Sequence, residues 1–75
     1  MNTNTEKIVG NNIKQLRKKK GFTQDSFSQQ LQMRGCNLTR SSIAKIEAGQ
    51  RHLYPDEIII IKQVLNVKFE DFLNI

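Results

Sequence analysis

Residues 38–47 of the chain read LTRSSIAKIE, and this stretch decides the fold. Thr39 is a residue type that favours the N-cap of a helix, and Leu38 and Ile43 flank it at the spacing of a hydrophobic staple. Ile46 continues the same apolar side. The stretch therefore predicts a short helix with an aliphatic inner face and a small, polar and basic outer face, formed by Arg40, Ser41, Ala44 and Lys45.

The segment that precedes this helix repeats the same arrangement. Thr23 is again a candidate N-cap, Phe22 and Phe27 have the staple spacing, and Leu31 continues their apolar side. Gly49 is suited to the end of the second of the two helices. Two stapled helices of about ten residues each, over about 23–49, predict a helix-turn-helix.

The rest of the chain also predicts helices. Val9, Ile13 and Leu16 give a first helix its apolar side. Gly10 lies inside it at a cost of about 1 kcal/mol relative to Ala, which a close approach by a neighbouring helix would offset. Pro55 fits the first turn of a fourth helix. A last short helix is predicted to follow, with its apolar residues Phe69, Phe72 and Leu73 facing inward. No strand signal is present, so we expect one all-α domain over residues 1–75, with five helices and the last two at about 55–74.

The composition excludes several classes of site. The 75 residues are 37% hydrophobic and 25% charged, which is ordinary for a globular protein. Cys36 is the only cysteine, in a predicted loop, and His52 is the only histidine, so we expect no disulfide, no metal and no cofactor. His52 lies in a connector, where it packs, is exposed or contacts phosphate. No carboxylate pair, Cys/His couple or phosphate loop indicates an enzyme.

The charge is unevenly distributed along the chain. The net charge is +5, and residues 1–51 hold ten Lys/Arg against three acidic residues, whereas residues 52–75 hold two against four. A basic N-terminal part suits a polyanionic partner, although a merely soluble basic domain would have the same balance.

Membrane insertion and export are not indicated. The apolar run 58–61 has only four residues, and the N-terminus lacks the pattern of a secretion signal. Together with the lone thiol, this favours the cytoplasm.

The outer face of the helix over 39–48 fits the major groove of DNA, which admits one α-helix. Arg40 and Lys45 can donate to guanine edges, Ser41 lies between them, and Ala44 can touch a thymine methyl group. Phosphate contacts are predicted around this row, at Gln24, Arg34, Thr39, Ser42 and Arg51. The alternative is that all of these are ordinary solvated residues of surface helices.

Residues from about 8 to 73 resemble the repressor/Cro-type helix-turn-helix family, also called the XRE family. The matching positions, with x for any residue, begin with Ile13-x-x-Leu16-Arg17-x-x-x-Gly21-Phe22-Thr23-Gln24 and Phe27-x-x-x-Leu31. They continue with Thr39-Arg40-Ser41-Ser42-Ile43-x-x-Ile46-Glu47-x-Gly49-x-Arg51 and end with Leu65-x-Val67-x-x-Glu70-Asp71-Phe72-Leu73. The resemblance implies a λ-repressor-like fold in which Arg40, Ser41 and Lys45 read bases while Gln24 and Ser42 contact the backbone. Family members are commonly transcriptional repressors that bind palindromic operators as dimers.

Two features depart from the family pattern. Residues 32–36 add roughly five positions to the usual tight turn of three or four residues, which we expect to lengthen the second helix by a turn and loosen the loop. Arg34 could then reach a phosphate. Pro55 also comes later than the usual proline, so the start of the fourth helix is open.

The resemblance further implies a structural ion pair between Arg17 and Glu47, which would fix the angle between the helices that carry them. The alternative leaves Arg17 in a solvated basic run with residues 18–20. Ile59 and Ile60 exceed the inward stripe of the fourth helix. In the family that the chain resembles, the fourth and fifth helices often make the dimer contact, so the resemblance implies an isologous interface formed by Ile59, Ile60 and the segment from Phe72 to Ile75. The alternative is a wider core.

Two functions compete at this point. The first is a sequence-specific regulator of transcription, in particular a repressor, that binds double-stranded DNA as a homodimer on two half-sites about one helical turn apart. The second is a protein-interaction module of the same fold, such as an antitoxin-like partner that uses its apolar C-terminal helices. The basic outer row favours the first.

Overall fold

The computed structural model describes residues 3–73, which are all-α. Four α-helices follow one another: α1 (Thr3–Lys19), α2 (Gln24–Met33), α3 (Arg40–Glu47) and α4 (Pro55–Leu65). A 3-10 helix, Phe69–Phe72, comes last. The predicted fold class is confirmed, with one change. The fifth helix is a single 3-10 turn, in which only Phe72 is buried, while Phe69 and Leu73 are each 47% exposed rather than inward.

Both predicted caps and the staple of Phe22 with Phe27 are present in the helix-turn-helix, and Leu38 and Ile43 are both buried in the core. The Thr23 hydroxyl accepts a hydrogen bond from the Ser26 amide at 3.0 Å, and the Thr39 hydroxyl accepts one from the Ser42 amide at 3.1 Å. The Phe22 and Phe27 rings lie 5.8 Å apart. These bonds satisfy amides that a helix leaves free in its first turn, so both helix starts are fixed by local chemistry.

The longer connection between α2 and α3 is partly helical and is anchored to α2. Gln32 and Met33 extend α2, and Cys36 and Leu38 in the loop are buried in the core. The Ser28 hydroxyl donates to the Leu38 carbonyl at 2.7 Å. α2 therefore continues for two residues past Leu31, about half a turn instead of the expected full turn. The expected looseness of the loop is wrong, because buried side chains and a buried hydrogen bond hold it.

The core is formed by apolar side chains from every helix and from both loops that flank α3. Phe27 and Leu31 of α2 face Ile61 and Leu65 of α4, with no exposed surface or almost none. The remaining core residues are Val9, Ile13, Cys36, Leu38, Ile43, Ile46, Leu53 and Phe72. α4 begins at Pro55 as predicted, and the Tyr54 amide donates to the Glu57 carboxylate at 3.1 Å.

Gly10 marks the place where α1 touches the backbone of α3. A Cβ atom built on Gly10 would lie 2.1 Å from the carbonyl oxygen of Ile46, which is far inside van der Waals contact. The close approach that would offset the cost of a mid-helix glycine is thus present. It lets α1 rest directly on the C-terminal half of α3.

We predict that Gly10→Ala destabilises the protein by about 1–3 kcal/mol, because the new methyl group forces α1 away from α3. In an open helix the same change would stabilise by about 1 kcal/mol. Urea unfolding followed by circular dichroism measures the difference. Gln15→Ala, at an exposed position of α1, is the control and should stay within about 0.5 kcal/mol of the parent. A Gly10→Ala protein as stable as the parent would contradict the close contact.

Candidate nucleic-acid interface

The outer face of α3 carries the residues predicted to contact bases. Arg40, Ser41 and Lys45 are exposed, and Ala44 is half-buried beside them. The opposite face of the helix, Ile43, Ile46 and Glu47, is buried. Because the inner residues hold α3 against the core, the three polar side chains project together from one side of the domain.

The first turn of α3 is polar and accessible. Thr39 is exposed and Ser42 is half-buried, and their hydroxyl oxygens lie 3.0 Å apart. The Thr39 hydroxyl also accepts from the Ser42 amide, so both side chains take part in the cap. Their hydroxyl groups remain at the surface, next to Arg40 and the free amides of the turn.

A buried ion pair lies behind this face. The Arg17 Nε donates to Glu47 Oε2 at 2.6 Å, and Nη2 donates to Oε1 at 3.1 Å. The Arg17 and Glu47 side chains are only 6% and 3% exposed. Arg17 Nη1 also donates to the Phe22 carbonyl at 2.8 Å. The ion pair expected between these residues is present, and it connects α1, the α1–α2 turn and the end of α3.

Gln24 joins the same network, which the sequence did not reveal. Its Nε2 donates to Glu47 Oε1 at 3.1 Å, so the first residue of α2 is fixed to the last residue of α3. Gln24 and Glu47 are 23 residues apart, and no spacing rule connects them. The contact constrains the angle between the two helices, which the length of the turn had left open.

A cleft of about 470 Å³ brings two of the predicted DNA contacts together. It opens between the N-terminal ends of α2 and α3, and it is lined by Arg17, Phe22, Thr23, Gln24, Asp25 and Arg40. Gln24 and Arg40 thus share one concave surface, with helix amides at its edge. The Arg40 guanidinium and the uncapped first-turn amides suit an anion such as a phosphate, against the opposing charge of Asp25 on the same wall.

The sequence model of the family described as helix-turn-helix matches residues 13–72. The chain belongs to the repressor/Cro-type helix-turn-helix family. It is accordingly a DNA-binding regulator of the XRE type, a class defined by DNA binding and not by catalysis. Comparisons with curated proteins and with solved structures found no match.

Outside the helix-turn-helix, Arg51, a predicted phosphate contact, forms an ion pair within the protein. Its Nη1 and Nη2 donate to the two Glu57 oxygens at 2.9 and 3.1 Å, and Nη1 also donates to the His52 carbonyl at 2.8 Å. Burial would raise the pKa of Glu57, but hydrogen bonds from Arg51 and the Tyr54 amide, with the Arg51 charge, bring that pKa below its ordinary value. Arg51 therefore ties the connector to α4, and its charge is already compensated.

His52 has an acidic partner that the sequence did not indicate. Its Nδ1 lies 2.6 Å from Glu6 Oε1, which joins the α3–α4 connector to the first turns of α1. The two residues are 46 positions apart, so only the packing of α1 across the end of α3 brings them together. The contact has a structural role, and the proposed phosphate contact of His52 has no support.

Arg34 and Cys36 lie in the connection between the two helices. Arg34 caps the C-terminal end of α2 with its side chain exposed, so it is accessible to a partner. Cys36 is buried, and burial, followed by the charge of Glu57, raises the pKa of its thiol. A protonated, buried thiol is a poor nucleophile, which leaves Cys36 as a core residue.

Metal and membrane sites are not found in the part of the chain that the structure describes. Within residues 3–73 no group of three His, Cys, Asp or Glu side chains could hold a metal ion. The same residues contain no helix with the length and apolar character to cross a bilayer.

The predicted dimer residues fall into different environments. Phe72 is 1% exposed and belongs to the core, so its assignment to the interface is wrong. The 3-10 turn points its ring inward, edge-on to Phe69. Ile60 is half-buried against the core, whereas Ile59 is 57% exposed on the outer side of α4. Ile75 lies outside the described residues.

We predict that Glu47→Gln destabilises the protein by about 3–5 kcal/mol, because it leaves the buried Arg17 guanidinium without a counter-charge. The midpoint of urea unfolding reports the change. Glu57→Gln is the matched control: its pair with Arg51 is more exposed, at 14% and 29%, and should cost only about 1 kcal/mol. Equal losses in the two variants would show that burial of the Arg17–Glu47 pair has no special weight.

Proposed function

We propose that the protein is a cytoplasmic repressor of transcription that binds a specific DNA sequence as a homodimer, with residues 1–75 acting as one domain. The observation that carries this proposal is the division of α3. Arg40, Ser41 and Lys45 project from one face, while Ile43 and Glu47 fix the other face to the core. A helix presented in this way can enter the major groove with a single orientation.

Base recognition is assigned to the exposed face of α3. Arg40, in the first turn, is placed to donate two hydrogen bonds to a guanine edge, and Lys45 can donate to the same acceptors one turn later. Ser41 can donate or accept, and Ala44 offers a methyl group to thymine. The half-buried position of Ala44 keeps the helix surface low between the two cationic side chains.

Phosphate contacts are assigned to the two helix starts beside this face. Gln24, Thr39 and Ser42 lie at those starts, and each has polar atoms at an accessible surface. Two acidic residues lie beside these starts: Glu47 is neutralised by Arg17, and Asp25 is exposed on the wall of the cleft. Arg34 is a further candidate at the end of α2. Arg51 is omitted, because Glu57 already occupies its guanidinium.

The homodimer is assigned to the outer side of α4. Ile59 is a large apolar side chain with 57% of its surface exposed, and a two-fold axis beside it would bring it against its own copy. Ile60 would contribute to the interface only the part of its side chain that is not packed against the core. A symmetric dimer would read a palindromic operator whose half-sites are about one helical turn apart.

A protein-interaction module, for example an antitoxin-like partner, is the second candidate. Its supporting observation is the exposure of Phe69 and Leu73, each 47%, in addition to Ile59, near the C-terminal end. These side chains would suit a hydrophobic partner surface.

DNA selection from a random pool, followed by mobility-shift titration against salt, tests the proposed function. We expect a palindromic consensus and an affinity that falls steeply with salt, because bound phosphates release counterions. Lys45→Ala should weaken binding by about 1–3 kcal/mol and relax specificity at one or two positions.

The control for this change is Lys62→Ala, which removes an exposed lysine of α4 and should leave specificity unchanged. A uniform loss across all sequences would demote Lys45 to a phosphate contact. If no duplex bound even at low salt, the interaction-module function would replace the repressor.

We predict that Ile59→Lys shifts the protein from dimer to monomer, because two like charges would meet across the symmetry axis. Light scattering over a concentration series, free and with operator DNA, measures the mass. Met33→Lys is the matched control, since Met33 is 79% exposed at the end of α2 and away from α4. A parent protein that stayed monomeric both free and on DNA would exclude the homodimer.

A further inference from the structure

One side of α1 carries three lysines that the helix-turn-helix does not use. Lys7, Lys14 and Lys18 are separated by seven and then four residues, so at 3.6 residues per turn they fall within an arc of about 40° and span about 16 Å of helix axis. We call these three residues the α1 basic edge. Lys7 and Lys18 are exposed and Lys14 is half-buried.

The α1 basic edge adjoins the elements assigned to DNA. At its N-terminal end, the Lys7 stem packs on Gly49, where a built Cβ would lie 2.5 Å from Lys7 Cγ. Gly49 directly follows the capping residue of α3. At the other end, Lys18 follows Arg17, whose guanidinium holds the Phe22 carbonyl just before α2. The α1 basic edge therefore runs from the C-terminal end of α3 toward the start of α2.

The charge of this edge is not neutralised within residues 3–73. None of the three lysines forms an ion pair with a residue of that range, where the ion pairs are Arg17–Glu47 and Arg51–Glu57. The acidic residue of α1, Glu6, points toward the connector and contacts His52. Three like charges on one helix side repel one another, which favours a polyanionic partner along them.

We infer that the α1 basic edge is a second contact surface for the phosphate backbone of the duplex that α3 reads. This inference rests on the proposed function and extends its footprint. Duplex DNA carries one charge per about 1.7 Å of axis, so an edge about 16 Å long passes several phosphates. Lysine, a mobile point charge without fixed geometry, suits contacts that add affinity without reading sequence.

The test compares two variants that each lose three positive charges. The edge variant is Lys7→Gln, Lys14→Gln and Lys18→Gln, and glutamine keeps part of the stem that packs on Gly49. The control is Lys19→Gln, Lys62→Gln and Lys68→Gln, at exposed positions off the edge. Both are titrated with the duplex selected by the parent protein and with a random duplex, at several salt concentrations.

In the edge variant, the plot of log binding constant against log salt concentration should be less steep by about 2–3, on both duplexes alike, because each lost phosphate contact removes about 0.9 from the magnitude of the negative slope. The control should lower it by less than about 1. The selected consensus should be the same for parent and edge variant. Replacing the three edge lysines by arginine should keep the full slope.

An unchanged slope in the edge variant, with the parent binding DNA normally, would reject the edge and leave the proposed function intact. Equal slopes in the edge and control variants would show that the change in salt dependence follows net charge alone, and this would also reject the α1 basic edge as a contact surface. If the parent bound no duplex, both proposals would fail together. Circular dichroism checks folding. If the edge variant unfolds, Lys14→Gln with Lys18→Gln replaces it, and the expected loss of slope is then about 1.8.

Discussion

The buried carboxylate of Glu47 is the constraint on which the arrangement of the helices depends. A charge in a small apolar core is costly unless its lone pairs are filled, and Glu47 fills them with Arg17 from α1 and Gln24 from α2. Each donor requires its own helix to approach from one direction. The last residue of α3 is therefore bonded to two other helices at once, and the exposed face of α3 takes its orientation from a buried group on the opposite side of the helix.

Local chemistry made much of this fold predictable. The caps at Thr23 and Thr39 and the staple of Phe22 with Phe27 depend on residues a few positions apart, and the sequence states those spacings directly. The Arg17–Glu47 pair is different, because only the family resemblance suggested it. Spacing alone would have left Arg17 in a solvated basic run.

The sequence could not show how groups choose between competing partners. An arginine is equally suited to a phosphate or a carboxylate, so the engagement of Arg51 by Glu57 was not predictable from residue type. The contact of Gln24 with Glu47 spans 23 residues and exists only after α2 packs on α3. The contact of His52 with Glu6 spans 46 residues and exists only after α1 packs across the end of α3. Phe72 was misassigned because an apolar stripe indicates that a residue is buried but not whether the core or a second copy buries it. In addition, a 3-10 turn points its side chains in directions that differ from those of an α-helix.

The contact of Gly10 with the Ile46 carbonyl separates the part of the domain that can vary from the part that cannot. Position 10 is closed to every side chain, because any Cβ would strike the α3 backbone. The side chains at positions 40, 41 and 45 are exposed and do not belong to the buried core. Under the proposed function, exchanging these surface side chains would change the DNA sequence that is bound, while the packing of α1 on α3 stays the same. The packing that orients α3 and the side chains that α3 exposes are therefore separate parts of the domain.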